Sequence, residues 1–329
     1  QPPPSPPPPP PPLPPPPSSP PRPPPPNSCL DLVGVSVDFF ERGCTDLPSA
    51  NLKGQNLKHA SLRTANLRNA ELDFADLSFA DLRGADLSGA SLQWARLFGA
   101  DFSGAVLSRA SFKRADLEEA DLTGATVTAT DFSRADMRAA AVAGLRAGEG
   151  AIFDHADLTE TEVIDCQLPG SMWRGATLWL SVFSRVHLER ALFDADTNCN
   201  GLTLRGCSLE RATLAHTSLE RLTVQGGSMA EADLSHATVS SCALRGAVLT
   251  GASLASASLS DTNLSNAILE GADLRYASLQ RVALDGASLV GASLEFADLR
   301  TATGLAAADL TGARLAGARG LPPASAAGR

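Results

Sequence analysis

Aromatic side chains are scarce: they make up 5% of the 329 residues, with a single tyrosine. That is too little for an ordinary large globular core, where rings supply much of the buried area. No run of about 18 apolar residues occurs, so no segment reads as a membrane-spanning helix. Basic charge is not in excess. Lys and Arg number 27 against 36 Asp and Glu, a net charge of -9, and a nucleic-acid-binding chain needs a basic footprint instead. The six cysteines form no CxxC pair and no zinc spacing. No phosphate loop, nucleophile–base pair or paired catalytic carboxylates stand out, so neither enzyme activity nor a cofactor is expected. The chain starts at Gln1 with no charged or apolar leader before it. This reads either as the mature start of a secreted chain or as a fragment boundary.

Proline, alanine, leucine, serine and glycine dominate instead. Gln1–Pro26 is almost all proline, broken by Ser5, Leu13, Ser18, Ser19 and Arg22. Proline fixes φ and removes the backbone donor, so residues 1–28 form an arm that joins neither helix nor sheet. At ~3.1 Å per residue in polyproline II, the arm extends roughly 80 Å. It serves as a stiff linker or as a partner-binding segment. Residues 29–46 differ in character. Val33, Val35, Val37 and Phe39 alternate as in one short strand, bracketed by Cys29 and Cys44. This reads as an N-terminal cap over the first hydrophobic face of a repeat stack. A Cys29–Cys44 disulfide would close a ~15-residue loop, worth ~3 kcal/mol in the chain-entropy model. A free pair in a reducing compartment is the other reading.

From Leu47 a period of five takes over. Leu47, Leu52, Leu57, Leu62 and Leu67 begin a series that runs on through Phe102, Phe112, Val127, Phe132 and Met137 to Val142. Two residues before each stands a small one, as at Ala60, Ala65, Ala70 and Ala75. On a helix a five-residue step advances ~140°, winding the leucines round every face. On a strand successive leucines would alternate faces. The chain must instead turn a corner every five residues.

Ala75–Leu92, ADLSFADLRGADLSGASL, resembles the pentapeptide-repeat proteins, whose pattern is A(D/N)LXX. The resemblance covers residues 47–318 and implies an all-β fold, a right-handed quadrilateral β-helix with four repeats per coil. The central Leu or Phe and the small residue two before it then point inward. A large residue at the small position would overpack the square, at a cost of ~1–3 kcal/mol. Cys166, Cys207 and Cys242 all fall on that small position, as compact core fillers.

The register slips near 143–152, 194–203 and 300–305, in stretches rich in Gly and Asn. About 52 repeats give about 13 coils and, at ~4.8 Å each, a solenoid of roughly 60 Å. A tail follows at 319–329. The block 151–193 is the least regular. Thr161, Ser171, Ser181 and Val186 replace Ala, and Trp173 lies near Trp179. That block is either tolerated drift or a face altered for a partner.

Candidate metal ligands are few. His216 and His236, twenty residues apart, should stack on adjacent coils, but no third ligand accompanies them. Asp81, Asp101 and Asp121 should form an outward acidic ladder, mildly destabilising unless a cation is bound. The plainer readings are solvated surface histidines for the first pair and the family consensus for the aspartates.

Two function classes remain. The arm is similar to the hydroxyproline-rich segments of pherophorin- and extensin-like wall proteins. That similarity implies hydroxylation and O-glycosylation, with Ser5, Pro6, Pro7, Pro8, Pro14, Pro15, Pro23 and Pro24 as candidates. The first class is thus a non-enzymatic extracellular structural or matrix protein, secreted to the cell surface or wall. It would assemble head to tail into filaments with other copies of itself or with wall proteins, carrying glycans on the arm. An uncovered last coil would offer the strand edges for this. The second class is an intracellular protein-interaction scaffold, including the topoisomerase-binding DNA mimics that the family resemblance brings in. Lys53, Lys58, Arg63 and Arg68 within one coil interrupt the continuous acidic face such mimicry needs.

Overall fold

One repeat shows why five residues make a unit. In Ala85–Gly89 the Asp86 amide donates to the Ala65 carbonyl of the preceding coil at 2.9 Å. The Leu87 amide donates to Val106 of the following coil at 2.8 Å, and Gly89 donates to Ser108 at 2.9 Å. The Ser88 amide donates to Asp86 Oδ1 at 3.0 Å, and Ala85 closes the previous turn onto Leu82 at 3.0 Å. All five donors are satisfied, as a buried backbone requires. The aspartate before the leucine is therefore a turn residue, its side chain standing in for a backbone acceptor. The fifth residue turns the corner at positive φ, which Gly89 adopts (φ 69) at no steric cost.

The structure, a computed structural model, describes residues 44–321. The proline-rich arm, Cys29, the alternating segment at Val33–Phe39 and the end of the tail lie outside the described residues. Within them the chain is an all-β solenoid of parallel coils. One face can be followed without a break from Asn51 through Glu71, Ser91, Ser111, Asp131, Ile152, Met172, Leu192, Thr213, Asp233, Ser253 and Asp273 to Ser293 and Arg314. Most rungs are single bridges. The pairing widens to true strands at Thr203–Ser208 and Thr223–Ser228, and along Ser218–Glu220, Thr238–Ser240, Ser258–Ser260 and Ser278–Gln280. A single 3-10 turn occupies Leu305–Ala307.

The core is one cluster of leucines, phenylalanines and alanines running the length of the stack. Five rings stack through its middle. Centroids lie 5.2 Å apart for Phe112–Phe132 and Phe132–Phe153, 4.1 Å for Phe153–Trp173 and 6.1 Å for Trp173–Phe193. Leu310 and Leu315, in the last described coil, are only partly buried.

Rungs advance by 20 residues except at three places, where they advance by 21. The extra residues fall between Arg146 and Ile152, between Leu192 and Asn198, and between Thr303 and Asp309. The third coincides with the 3-10 turn, entered through Gly304 at φ 76. Sequence spacing places no inward residue within the first shift, yet Leu145 is buried there. Leu145 stands where alanine usually does, while Gly148 stands at the central position. The second shift repeats the exchange: Leu202 holds a small position and Cys199 a central one, and the two share one small apolar cavity with Phe183 and Phe193. Each exchange keeps roughly constant volume, which a packed interior tolerates best.

Candidate interaction surface

The irregular block at 151–193 alters the inside of the solenoid. Thr161 and Ser181 are buried and donate to the Met137 and Leu158 carbonyls of the coil before, at 3.1 and 2.7 Å. Ser171 donates to Leu168 O and accepts the Trp173 indole N–H, both at 2.7 Å. Cys207 and Cys242 donate likewise to the Phe183 and Leu219 carbonyls of the coil before, at 3.2 and 2.7 Å, and Cys166 Sγ lies 3.2 Å from the Ile164 carbonyl of its own coil. Burial pushes the Cys166 and Cys242 thiols up to about 11 and Cys199, wholly enclosed, to about 12. A thiol this hard to ionise is a poor nucleophile and a poor metal ligand. These four cysteines are free; Cys44 is buried and is not among the free thiols. The proposed partner of Cys44, Cys29, lies outside the described residues.

The weak metal candidates come together only in part. His216 and His236 stack in parallel, centroids 4.8 Å apart. Asp81, Asp101 and Asp121 do form one ladder. Their carboxylates are engaged by protein donors: Asp81 by the Arg83 guanidinium, Asp101 by Ser103 and by Arg83 at 3.4 Å, and Asp121 by the Thr123 amide. The Arg83 hydrogen bond, outweighing partial burial, holds the Asp81 carboxyl below the usual range. Arg83 thus supplies the positive charge that a bound cation would otherwise bring. Among the described residues no group of three or more His, Cys, Asp or Glu is placed to hold a metal ion.

Other basic side chains are tied down similarly. Lys53 pairs with Glu71 at 2.9 Å, Arg68 with Asp86 at 2.5 Å, and Arg174 with Asp154 at 2.7 Å. The outer faces therefore carry interleaved charge of both signs, neither a basic track nor a continuous acidic one.

One edge is different. Along the face that runs from Asn51 to Arg314, the residue three places after the rung is small at Gly54, Gly175, Ala195, Ser256 and Gly317; at the other nine rungs the corner carries Phe74, Trp94, Arg114, Arg134, His155, His216, His236, Tyr276 and Phe296. These nine have positive φ, an uncommon conformation for bulky side chains. Phe74 is 65% exposed, Trp94 49%, Tyr276 61% and Phe296 55%, the apolar surface that most invites a partner. Phe74 and Trp94 stack at 6.5 Å, and the Arg114 guanidinium lies 4.5 Å over the Trp94 ring. Tyr276 and Phe296 stack at 5.1 Å. The sequence reading missed this edge. The signal was present as a spacing of twenty, but the register shifts hide that Phe74 and Tyr276 share a corner.

A profile described as pentapeptide repeats matches residues 45–78, 65–104, 100–138, 232–271 and 267–303, together just over half of the chain. The chain belongs to the pentapeptide-repeat family. This pentapeptide-repeat protein is similar to HetL, a family member involved in heterocyst differentiation regulation in the cyanobacterium Nostoc sp. The identity is 29%, over 74% of this chain and 86% of that one, with a TM-score of 0.28. It is also similar to full-length QnrB1, a plasmid-mediated fluoroquinolone resistance protein, at 16% identity over 71% and 90% of the two chains and a TM-score of 0.20. A pentapeptide-repeat protein of the Arabidopsis thaliana thylakoid lumen matches at 27% identity, over 36% of this chain and 70% of that one, with a TM-score of 0.16. No curated protein matches the chain. No helix among the described residues is long and apolar enough to cross a membrane.

Proposed function

We propose that this protein is a non-enzymatic structural element, a stiff strut that works outside the cell and carries a modified proline-rich arm. The observation that carries this reading is the unbroken core from Leu47 to Leu299 beneath outer faces whose charges pair with one another. Such a body is rigid and chemically quiet. The extracellular part of the reading draws support from the proline-rich composition of the arm and from Cys44 lying outside the free thiols. End-to-end assembly of struts into filaments, with other copies or with wall proteins, is its further step. Mass measurement of the fragment Gln1–Arg42 from the native source tests it. Steps of hydroxylation with pentose or hexose support secretion; an unmodified fragment with a free thiol at Cys29 overturns it.

A second reading, an intracellular protein-interaction scaffold, is favoured by the exposed aromatic edge. Such surfaces are where partners dock. The mimicry of DNA toward a topoisomerase is its weakest form, because arginine and lysine interrupt the acidic ladders.

A further inference from the structure

We infer that the aromatic edge is the docking groove for this chain's own proline-rich arm, which seats on Phe74 and Trp94 and runs from there along the solenoid. This goes beyond the strut reading and holds whichever compartment the protein occupies.

The groove lies at the start of the stack. It measures about 420 Å³ and is lined by Gly54, Gln55, Asn56, Phe74, Trp94 and Arg96, with Asp76 at its side. Rings at the corners lean toward the following coil: the Phe79 ring lies 2.9 Å from where a Cβ on Gly99 would stand. Phe74 leans toward Trp94 in the same way, and Arg114 covers the far side of Trp94. What remains open is the near face of Phe74, above Gly54. Gly54 has no side chain, and its Cβ direction is empty to 4 Å. A slot with one aromatic wall suits a proline ring, as in the aromatic-lined grooves that take polyproline II segments. Such a segment presents solvated carbonyls. The side-chain amides of Gln55 and Asn56 and the Arg96 guanidinium supply donors, and the Trp94 indole N–H has no acceptor among the described residues.

Two further matches identify the occupant. Polyproline II repeats every three residues, about 9.3 Å. Two coils rise about 9.6 Å at the usual interstrand spacing. A proline chain laid along the axis therefore meets equivalent corners once per turn, drifting only a few tenths of an ångström each time. The arm is also tethered at the right end. The segment 27–43 joins it to Cys44 and spans at most about 60 Å, ample to bring residues 1–26 onto the first coils. Arg22 is the arm's one charged side chain, and the coil beside the groove carries Glu71, Asp73 and Asp76.

Trp94 reports on the contact. In the full-length chain carrying Trp179→Phe, Trp173 is buried and Trp94 is the quenchable indole. Acrylamide quenching is compared with that of three relatives: one lacking residues 1–26, one whose arm is replaced by a Gly/Ser chain of equal length, and one carrying Phe74→Ala. We expect quenching of Trp94 to rise two- to three-fold in all three. Phe74 is mostly exposed, so its replacement leaves the fold intact, as circular dichroism would verify. Equal quenching with and without the arm overturns the proposal. So does equal protection by the Gly/Ser arm, which would be shielding without recognition. Protection that appears only with rising concentration, alongside dimers in sedimentation, would assign the groove to a second copy's arm and overturn the intramolecular assignment.

Discussion

The indole N–H of Trp173 donates a 2.7 Å hydrogen bond to Ser171 Oγ, and both side chains are wholly buried. A tryptophan at a central position of the narrow square brings a polar atom inside, and a serine at the neighbouring small position receives it. Ser171→Ala leaves the indole donor unpartnered in the core. The expected loss is about 1–3 kcal/mol, against about 0.5–1.5 kcal/mol for Ser181→Ala, which removes a donor and orphans nothing. Thermal midpoints of the two variants check this; a smaller shift for Ser171→Ala would contradict it.

Packing at the second register shift yields a double-mutant cycle. Cys199→Leu restores leucine at a central position but meets Leu202, which already fills the shared cavity. The single change should destabilise by about 1–3 kcal/mol through overpacking. Adding Leu202→Ala should recover most of that, a coupling expected only of residues that share space. Additive losses in urea unfolding would refute the volume exchange.

Glycines at positive φ divide into two kinds, one at the corners and one at the small position of a repeat. Gly104 has φ +68 with nothing within 4 Å of its Cβ direction, so Gly104→Ala meets only backbone strain, about 1 kcal/mol. Gly227, at φ +85, faces the Cys207 backbone of the preceding coil, and Gly227→Ala must push two coils apart. The second variant should lose several times more stability than the first in the same melt; equal losses would show that strain alone decides.

Stability should fall at both pH extremes. Arg300 holds the Asp298 carboxyl down at about 2, and Ser88 and Arg68, outweighing burial, hold Asp86 below the usual range. A depressed folded pKa contributes stability above the ordinary carboxylate value of ~3.9 and loses it as pH falls through the folded value. The thiols run the other way. Their raised values give stability that is complete below the ordinary ~8.5 and is lost as pH climbs toward about 12 for Cys199. Midpoints from circular dichroism should plateau near pH 5–8 and decline below about 4 and above about 9. A flat acid limb would uncouple the carboxylates from folding.

Thiol chemistry gives an independent check. Cys166, Cys199, Cys207 and Cys242 should resist an aromatic disulfide reagent at pH 8 in the native state and react fully once unfolded. Fast native labelling of any of them would mean that its coil opens.

Much of this was legible in the sequence, because the repeat writes its geometry at fixed intervals. The leucine or phenylalanine at every fifth place is buried from Leu47, and the small residue two before it from Ala60, through to Met137. Legibility failed where two rules were broken at once. At Leu145/Gly148 and Leu202/Cys199 the large and small positions trade occupants, so a search for leucine at five-residue spacing finds a gap where the core is continuous. It failed again on the surface. The corner position has no consensus, and only the rung pairing reveals that His216, Tyr276 and Phe296 stand on the edge begun by Phe74.

The coil of four repeats makes this solenoid a rotary index. Removing a whole coil of twenty residues would shorten the rod and leave every edge aligned. Removing a single repeat between the two aromatic pairs would turn everything beyond it by a quarter of a revolution, carrying Tyr276 and Phe296 off the line of Phe74 and Trp94 while the core stayed filled. Length and azimuth are thus separately adjustable, by steps of twenty and of five. Two stretches of chain two hundred residues apart share an edge only while the sum of those steps is a whole number of turns.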